Sequence, residues 1–198
     1  MSIAVQPEAE VTVQRRRLTF AEFDRMKEVG VFTEDDRIEL LDGELVAMST
    51  VGGKHTGCII RCDRRLQRAI DPALLISVQN PLRIGGQTEF LPDLIVYRGD
   101  ESSNEIPTAE QVLVVIEIAD SSRNYDRATK IPRYAAAGIP EAVLVDLTED
   151  RIIRYTEPRG DGYRQITLAG RGEQLPSAIL PGLILDVDAI LGPPAQGQ

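Results

Sequence analysis

The chain has 198 residues, 42% apolar and 27% charged, and its 31 acidic against 22 basic side chains leave a net charge of −9. That composition supplies a core for one domain and excludes collagen, coiled coil and wholesale disorder. Such an acidic balance also argues against a protein that coats DNA through phosphate neutralisation, but it suits a cleft holding divalent cations. No apolar run approaches the roughly 20 residues that span a bilayer, and MSIAVQPEAEVTVQ lacks the pattern of a secretory signal. With only two cysteines and no disulfide framework, the expectation is a cytoplasmic protein without membrane contact.

Residues 1–17 lack periodicity and are expected to form a mobile arm, ahead of a single domain over 18–191 and a tail over 192–198. Thr19-Phe20-Ala21-Glu22 has the spacing of a capping box, predicting a helix to about Val29, closed by Gly30. Asp42-Gly43 between Arg37–Leu41 and Glu44–Met48 is a two-residue hairpin signal. Ile38, Leu40, Leu45 and Ala47 then share an apolar face, opposite a mixed face of Glu39, Leu41, Glu44 and Val46. Residues 54–70 form an amphipathic helix, with Ile59, Cys62, Leu66, Ala69 and Ile70 on one stripe and Arg61, Arg64, Arg65 and Arg68 opposite. Strands are expected at Leu74–Gln79, Pro92–Tyr97, Val112–Ala119 and Glu141–Asp146, with Pro81–Ile84 extended. Val112–Ala119 is apolar on both faces, as in a central strand. A helix lies within Asp126–Ala137, where Pro132 forces a late start or a kink. Arg151–Thr156 and Tyr163–Leu168 pair as a last hairpin, and a short segment follows Pro181-Gly182. The order predicts a mixed α/β sheet with helices on its faces, an N-terminal helix and hairpin, and a C-terminal β-hairpin extension.

Glu117 is the most informative residue, a carboxylate inside VLVVIEIA. Unpaired burial there costs several kcal/mol, so it must be protonated, paired with a base or bound to a cation. Asp93 opens the strand DLIVY, and if the two strands are neighbours both carboxylates reach one cleft. Two carboxylates together favour a hard cation such as Mg²⁺; a turn cap for Asp93 and an arginine partner for Glu117 are the alternatives. Lys130, 13 residues beyond Glu117, could neutralise developing phosphoryl charge, or form an i,i+4 surface pair with Asp126. His55 is the only histidine and falls on the apolar face of its helix with Cys58 and Cys62. Without a second ligand cluster these three do not make a zinc site. Arg123, Arg127 and Arg133 surround Lys130 and are placed for DNA contact, whereas the arginine stripe of residues 54–70 is a solvated face or a guide for a phosphate backbone.

RIELLDGELVAMS, His55, SVQNPLRI, LPDLIVY, the run from VVIEIAD through Lys130 to VLVD, and LPGLILDVDAI occur in this order from Leu18 to Leu191. Together they resemble the Uma restriction-endonuclease family of the PD-(D/E)XK nuclease superfamily. The resemblance implies a restriction-endonuclease-like core and a Mg²⁺-dependent (or Mn²⁺-dependent) endonuclease acting on DNA. By it, Asp93 and Glu117 are catalytic metal ligands, with Glu39 completing the acidic cluster. The superfamily lysine would fall two residues after Glu117, where this chain has Ala119. Lys130 sits where the family's helix supplies it instead. His55 would contact the scissile phosphate or a carboxylate, and Gln79 would hold a metal-bound water; core packing and strand-end hydrogen bonding are their plainer roles. Tyr134 reads as packing near the site. A catalytically inactive nuclease-fold module, binding nucleic acid or a protein partner, is the alternative, and a homodimer is left open.

Overall fold

The computed structural model describes residues 16–33, 35–49, 52–120 and 123–193. Most of the expected arm (1–15) and tail (194–198) lies outside these residues. The first elements are helix α1 (Phe20–Glu28), strands β1 (Ile38–Leu41) and β2 (Glu44–Ala47), and helix α2 (Gly53–Ala69). Strands β3 (Leu75–Val78), β4 (Leu82–Ile84), β5 (Thr88–Phe90), β6 (Leu94–Tyr97) and β7 (Val112–Ala119) follow. A continuous helical segment comes next: α3 (Arg123–Tyr125), a π turn (Asp126–Lys130) and α4 (Ile131–Ala136). The chain closes with β8 (Glu141–Asp146), β9 (Arg151–Arg159), β10 (Gly162–Gly170), β11 (Gln174–Pro176), β12 (Ile184–Asp186) and helix α5 (Val187–Leu191).

All eight residues of β7 are buried because it sits inside a six-stranded sheet of order β10-β9-β8-β7-β6-β3. Only β7 and β8 run parallel, as the helical crossover between them requires; the other pairs are antiparallel. Successive side chains of β7 alternate between two cores. Val114, Ile116 and Ile118 pack with Cys58, Ile59, Cys62 and Leu66 of α2. Val115 and Ala119 face Tyr134 of α4 and Phe90 of β5, with Glu117 between them in the alternation. The two cysteines are free and belong to the first core, one helical turn apart.

A second sheet, β2-β1-β5-β4, is antiparallel throughout. Its β1–β2 turn has φ +50° at Asp42 and +81° at Gly43, the pair of left-handed residues that a tight hairpin demands. A Cβ at Gly43 would lie 2.6 Å from Arg17 Cβ. Gly43→Ala is therefore expected to destabilise the fold by more than the about 1–2 kcal/mol of left-handed strain alone, read as a lower urea midpoint at unchanged slope.

Several local expectations need correction. The hairpin's apolar face is not uniformly covered: Leu40 is fully buried but Leu45, on the edge strand β2, is 41% exposed, while Glu39 on the mixed face is 1% exposed. Pro81–Ile84 is extended as expected, with Leu82–Ile84 forming β4, but its partner strand β5 was not expected. The helix within 126–137 begins at Arg123, and Pro132 is accommodated by the π turn, in which Ile131 N–H bonds to Asp126 O rather than to the carbonyl four residues back. The arginine stripe of α2 is partly structural: Arg61 donates to the carbonyls of Ile190 and Leu191, both at 2.7 Å, and so caps α5. Arg65 donates to Arg61 O.

Candidate active site

Five chain segments converge on one cavity of about 520 Å³, whose lining includes Glu39, His55, Asp93, Glu117, Asp126 and Lys130. Glu117 comes from the middle of the sheet and Asp93 from the residue before β6. Register pairs Leu94 with Ile116, so the two carboxylates arise on neighbouring strands. Asp93 Oδ2 accepts from Ile118 N–H at 2.8 Å and from His55 Nε2 at 3.1 Å, and Oδ1 accepts from Gln79 Nε2 at 3.2 Å. Gln79 lies just past β3, at φ +52°, with its backbone N–H bonded to Asp93 O. Asp93 is thereby fixed from three directions. His55 stands at the site end of the α2 core stripe; its Nδ1 is buried without a hydrogen-bond partner among the described residues.

Lys130 lies 2.9 Å from Glu39 Oε1, 3.2 Å from Glu117 Oε1 and 3.8 Å from Asp126 Oδ1. The spacing expected for a surface pair with Asp126 is present, but both residues are 2% exposed, since the π turn faces the cavity. Glu39 Oε1 also accepts from Leu91 N–H, and Oε2 from Tyr125 Oη. Both oxygens of the residue expected to complete the metal ligands are thus engaged, Oε1 by Lys130 and the β5–β6 connection and Oε2 by Tyr125. Tyr134 Oη donates to Glu117 Oε1 at 2.5 Å, from a fully buried ring. Burial would push the Lys130 pKa down, but the carboxylates of Glu117, Glu39 and Asp126 override it and raise it. For Glu117, burial dominates and pushes the carboxyl up to about 8, with Lys130 opposing and Asp126 and Asp93 reinforcing the shift.

Because the folded state binds the Glu117 proton more tightly than an unfolded glutamate of pKa about 4.3, that contribution to stability is complete below about pH 4.3 and is lost as pH rises through 8. Urea titrations of the metal-free protein between pH 6 and 8 should show stability falling faster with pH in the wild type than in Glu117→Gln, by at most about 1.4 kcal/mol per pH unit.

The sequence residues divide accordingly. Asp93, Glu117, Lys130, His55, Glu39, Gln79 and Tyr134 come together. Arg127 is exposed and does not line the cavity. Arg133 is tied to Asp42 at 2.5 Å and to Thr129 O, and the Arg123 side chain lies outside the described residues. Asp126, Tyr125 and Arg37 line the cavity although sequence reasoning did not select them. Alternation could have found Arg37, two residues before Glu39 on the same strand face.

The donor set fits a hard divalent cation. Asp93 and Glu117 both line the cavity, so their carboxylate oxygens could serve as ligands of a cation bound there, the Glu117 proton being displaced on binding. Among the described residues no group of three or more His, Cys, Asp or Glu side chains forms a ready-made metal cluster. Mg²⁺ does not need one, since it typically takes one or two carboxylates and completes its shell with water and phosphate oxygens.

The mixed sheet flanked by helices is a restriction-endonuclease-like fold. The chain belongs to the Uma2 family, described as "Putative restriction endonuclease", whose model matches residues 20–188. Among solved structures, it is similar to the crystal structure of "a putative nuclease belonging to DUF820" from Anabaena variabilis ATCC 29413. The TM-score is 0.70 and the identity 16%, over 88% of this chain and 97% of that one. A comparison with curated proteins finds no match. No helix among the described residues is long and apolar enough to cross a membrane.

Proposed function

We propose that this protein is a divalent-cation-dependent endonuclease that hydrolyses DNA phosphodiester bonds, with Asp93 and Glu117 holding Mg²⁺ or Mn²⁺. The observation that carries this reading is the convergence of those two buried carboxylates with the Lys130 ammonium, 3.2 Å from Glu117, in one open cavity. A bound cation supplies Lewis acidity, polarising a phosphoryl oxygen and lowering the pKa of the attacking water. In the reaction, water oxygen bonds to phosphorus, the bond to one sugar oxygen breaks, and that oxygen leaves with a proton.

The chain's own residues set the stage for this step. His55, Gln79 and Ile118 N–H fix the orientation of Asp93, and Tyr134 fixes Glu117. Lys130 presents a preorganised positive charge that offsets the negative charge building on phosphorus in the transition state. Its own position is set by Glu39, which Tyr125 in turn orients. The test is incubation of the purified, folded protein with labelled DNA. Cleavage in Mg²⁺ or Mn²⁺ that stops on adding EDTA supports the reading. No cleavage of single- or double-stranded DNA in either metal, from protein with a native circular dichroism spectrum, defeats it.

A further inference from the structure

Arg37 immediately precedes β1 and shares a strand face with Glu39. Both line the cavity. The Arg37 carbonyl accepts from Met48 N–H at 2.8 Å, extending the hairpin ladder, so Arg37 stands across from Met48 as Glu39 stands across from Val46. Among the described residues its guanidinium makes no ion pair. The other lysine or arginine that lines the cavity is committed: Lys130 pairs with Glu39 and Glu117. An arginine left unpaired at an acidic cavity is matched to an anion that comes with the ligand.

The cavity also has an apolar wall, formed by Val46, Met48 and Leu91. Its volume of about 520 Å³ lies in the range of about 300–1,000 Å³ that encloses one drug-sized molecule. A single nucleotide is of that size, and a duplex is several times wider. Asp93 is 5% exposed and Glu117 2%, so the scissile phosphate has to enter the cavity to reach them. Arg61 and Arg65 are diverted to backbone carbonyls and are not available for a track of duplex phosphates. Among the described residues that line the cavity Arg37 is the one arginine, which suffices for a local phosphate contact but not for a track of phosphates.

Resting on the nuclease reading above, we propose that Arg37 binds a phosphate of an unpaired nucleotide whose base lies against the Val46–Met48–Leu91 wall, so that the enzyme acts on single-stranded or frayed DNA in preference to duplex. The test is fluorescence anisotropy in EDTA with a short labelled single strand and its duplex, over a series of salt concentrations. The wild type should bind the single strand at least about tenfold more tightly. Arg37→Met should weaken single-strand binding by about tenfold and reduce the slope of log K against log salt by roughly 0.7, the loss of one phosphate contact. Native circular dichroism and unchanged Mn²⁺ binding establish that the variant is folded with its carboxylates in place. Equal or tighter duplex binding, or an unchanged salt slope in the folded variant, overturns the proposal. Parallel cleavage assays in Mg²⁺ separate the two readings: preferential cutting of duplex defeats the single-strand inference and leaves the nuclease intact. Single-strand preference and the slope change without any cleavage uphold the binding site and defeat the nuclease.

Discussion

Asp93→Asn and Glu117→Gln are each expected to lower Mg²⁺-dependent DNA cleavage by on the order of 10³-fold or more, while circular dichroism shows a native fold. Both substitutions keep side-chain volume and remove the formal charge that a hard cation requires. Their effects on the metal-free protein should differ. Asp93 is held by three donors, from Ile118, His55 and Gln79, so its amide variant leaves donor facing donor and should cost stability. Glu117 already carries a carboxyl pushed up to about 8 by burial, so a neutral amide replaces a group that is largely protonated near neutral pH, at little cost. Calorimetric titration with Mn²⁺ should show binding lost or severely weakened in both. Full cleavage by either folded variant would remove that residue from the catalytic metal site.

The parts of this arrangement that could be read in the sequence are those fixed by local chemistry. The run VLVVIEIA announces a doubly covered strand, and a carboxylate in its midst needs a partner wherever the chain goes. Asp42-Gly43 specifies a hairpin because both residues must adopt left-handed backbone. The stripe from His55 to Leu66 fixes which side of α2 is buried. Lys130 was legible only through the resemblance, since nothing local distinguishes it from a surface lysine paired to Asp126.

What stayed hidden depends on chain arriving from elsewhere. Alternation in the β1–β2 hairpin separates two faces but cannot say which is covered; Glu39 is buried by the β5–β6 connection and by Lys130, 91 residues further on, while Leu45 on the edge strand is left in solvent. The three-residue strands β5, β11 and β12 are too short to show a period and exist through their pairing. The i,i+4 spacing of Asp126 and Lys130 is the same on an exposed helix as on a buried one, so spacing could not reveal that both face a cavity. Pro132 did signal an irregularity, and the π turn is its structural form.

Lys130→Met is expected to be the most destabilising single change at the site, by about 3–5 kcal/mol, because it leaves buried carboxylates without their shared cation. The ammonium is 3% exposed in its side chain and contacts Glu39, Glu117 and Asp126. Its raised pKa keeps it charged at any working pH, so the loss should be present from acid to mild alkali. The size should nevertheless grow as pH rises above about 8, where Glu117 of the wild type ionises beside Lys130 and the variant offers its carboxylate no cation. A double-mutant cycle with Glu39→Gln identifies the cause: removing one of the stranded charges should return part of the lost stability, a coupling of about 1–3 kcal/mol. Mg²⁺ should also restore part of it by supplying positive charge to the same cavity. Equal losses in Lys130→Met with and without Glu39→Gln, and no response to Mg²⁺, would mean that the lysine contributes packing rather than charge.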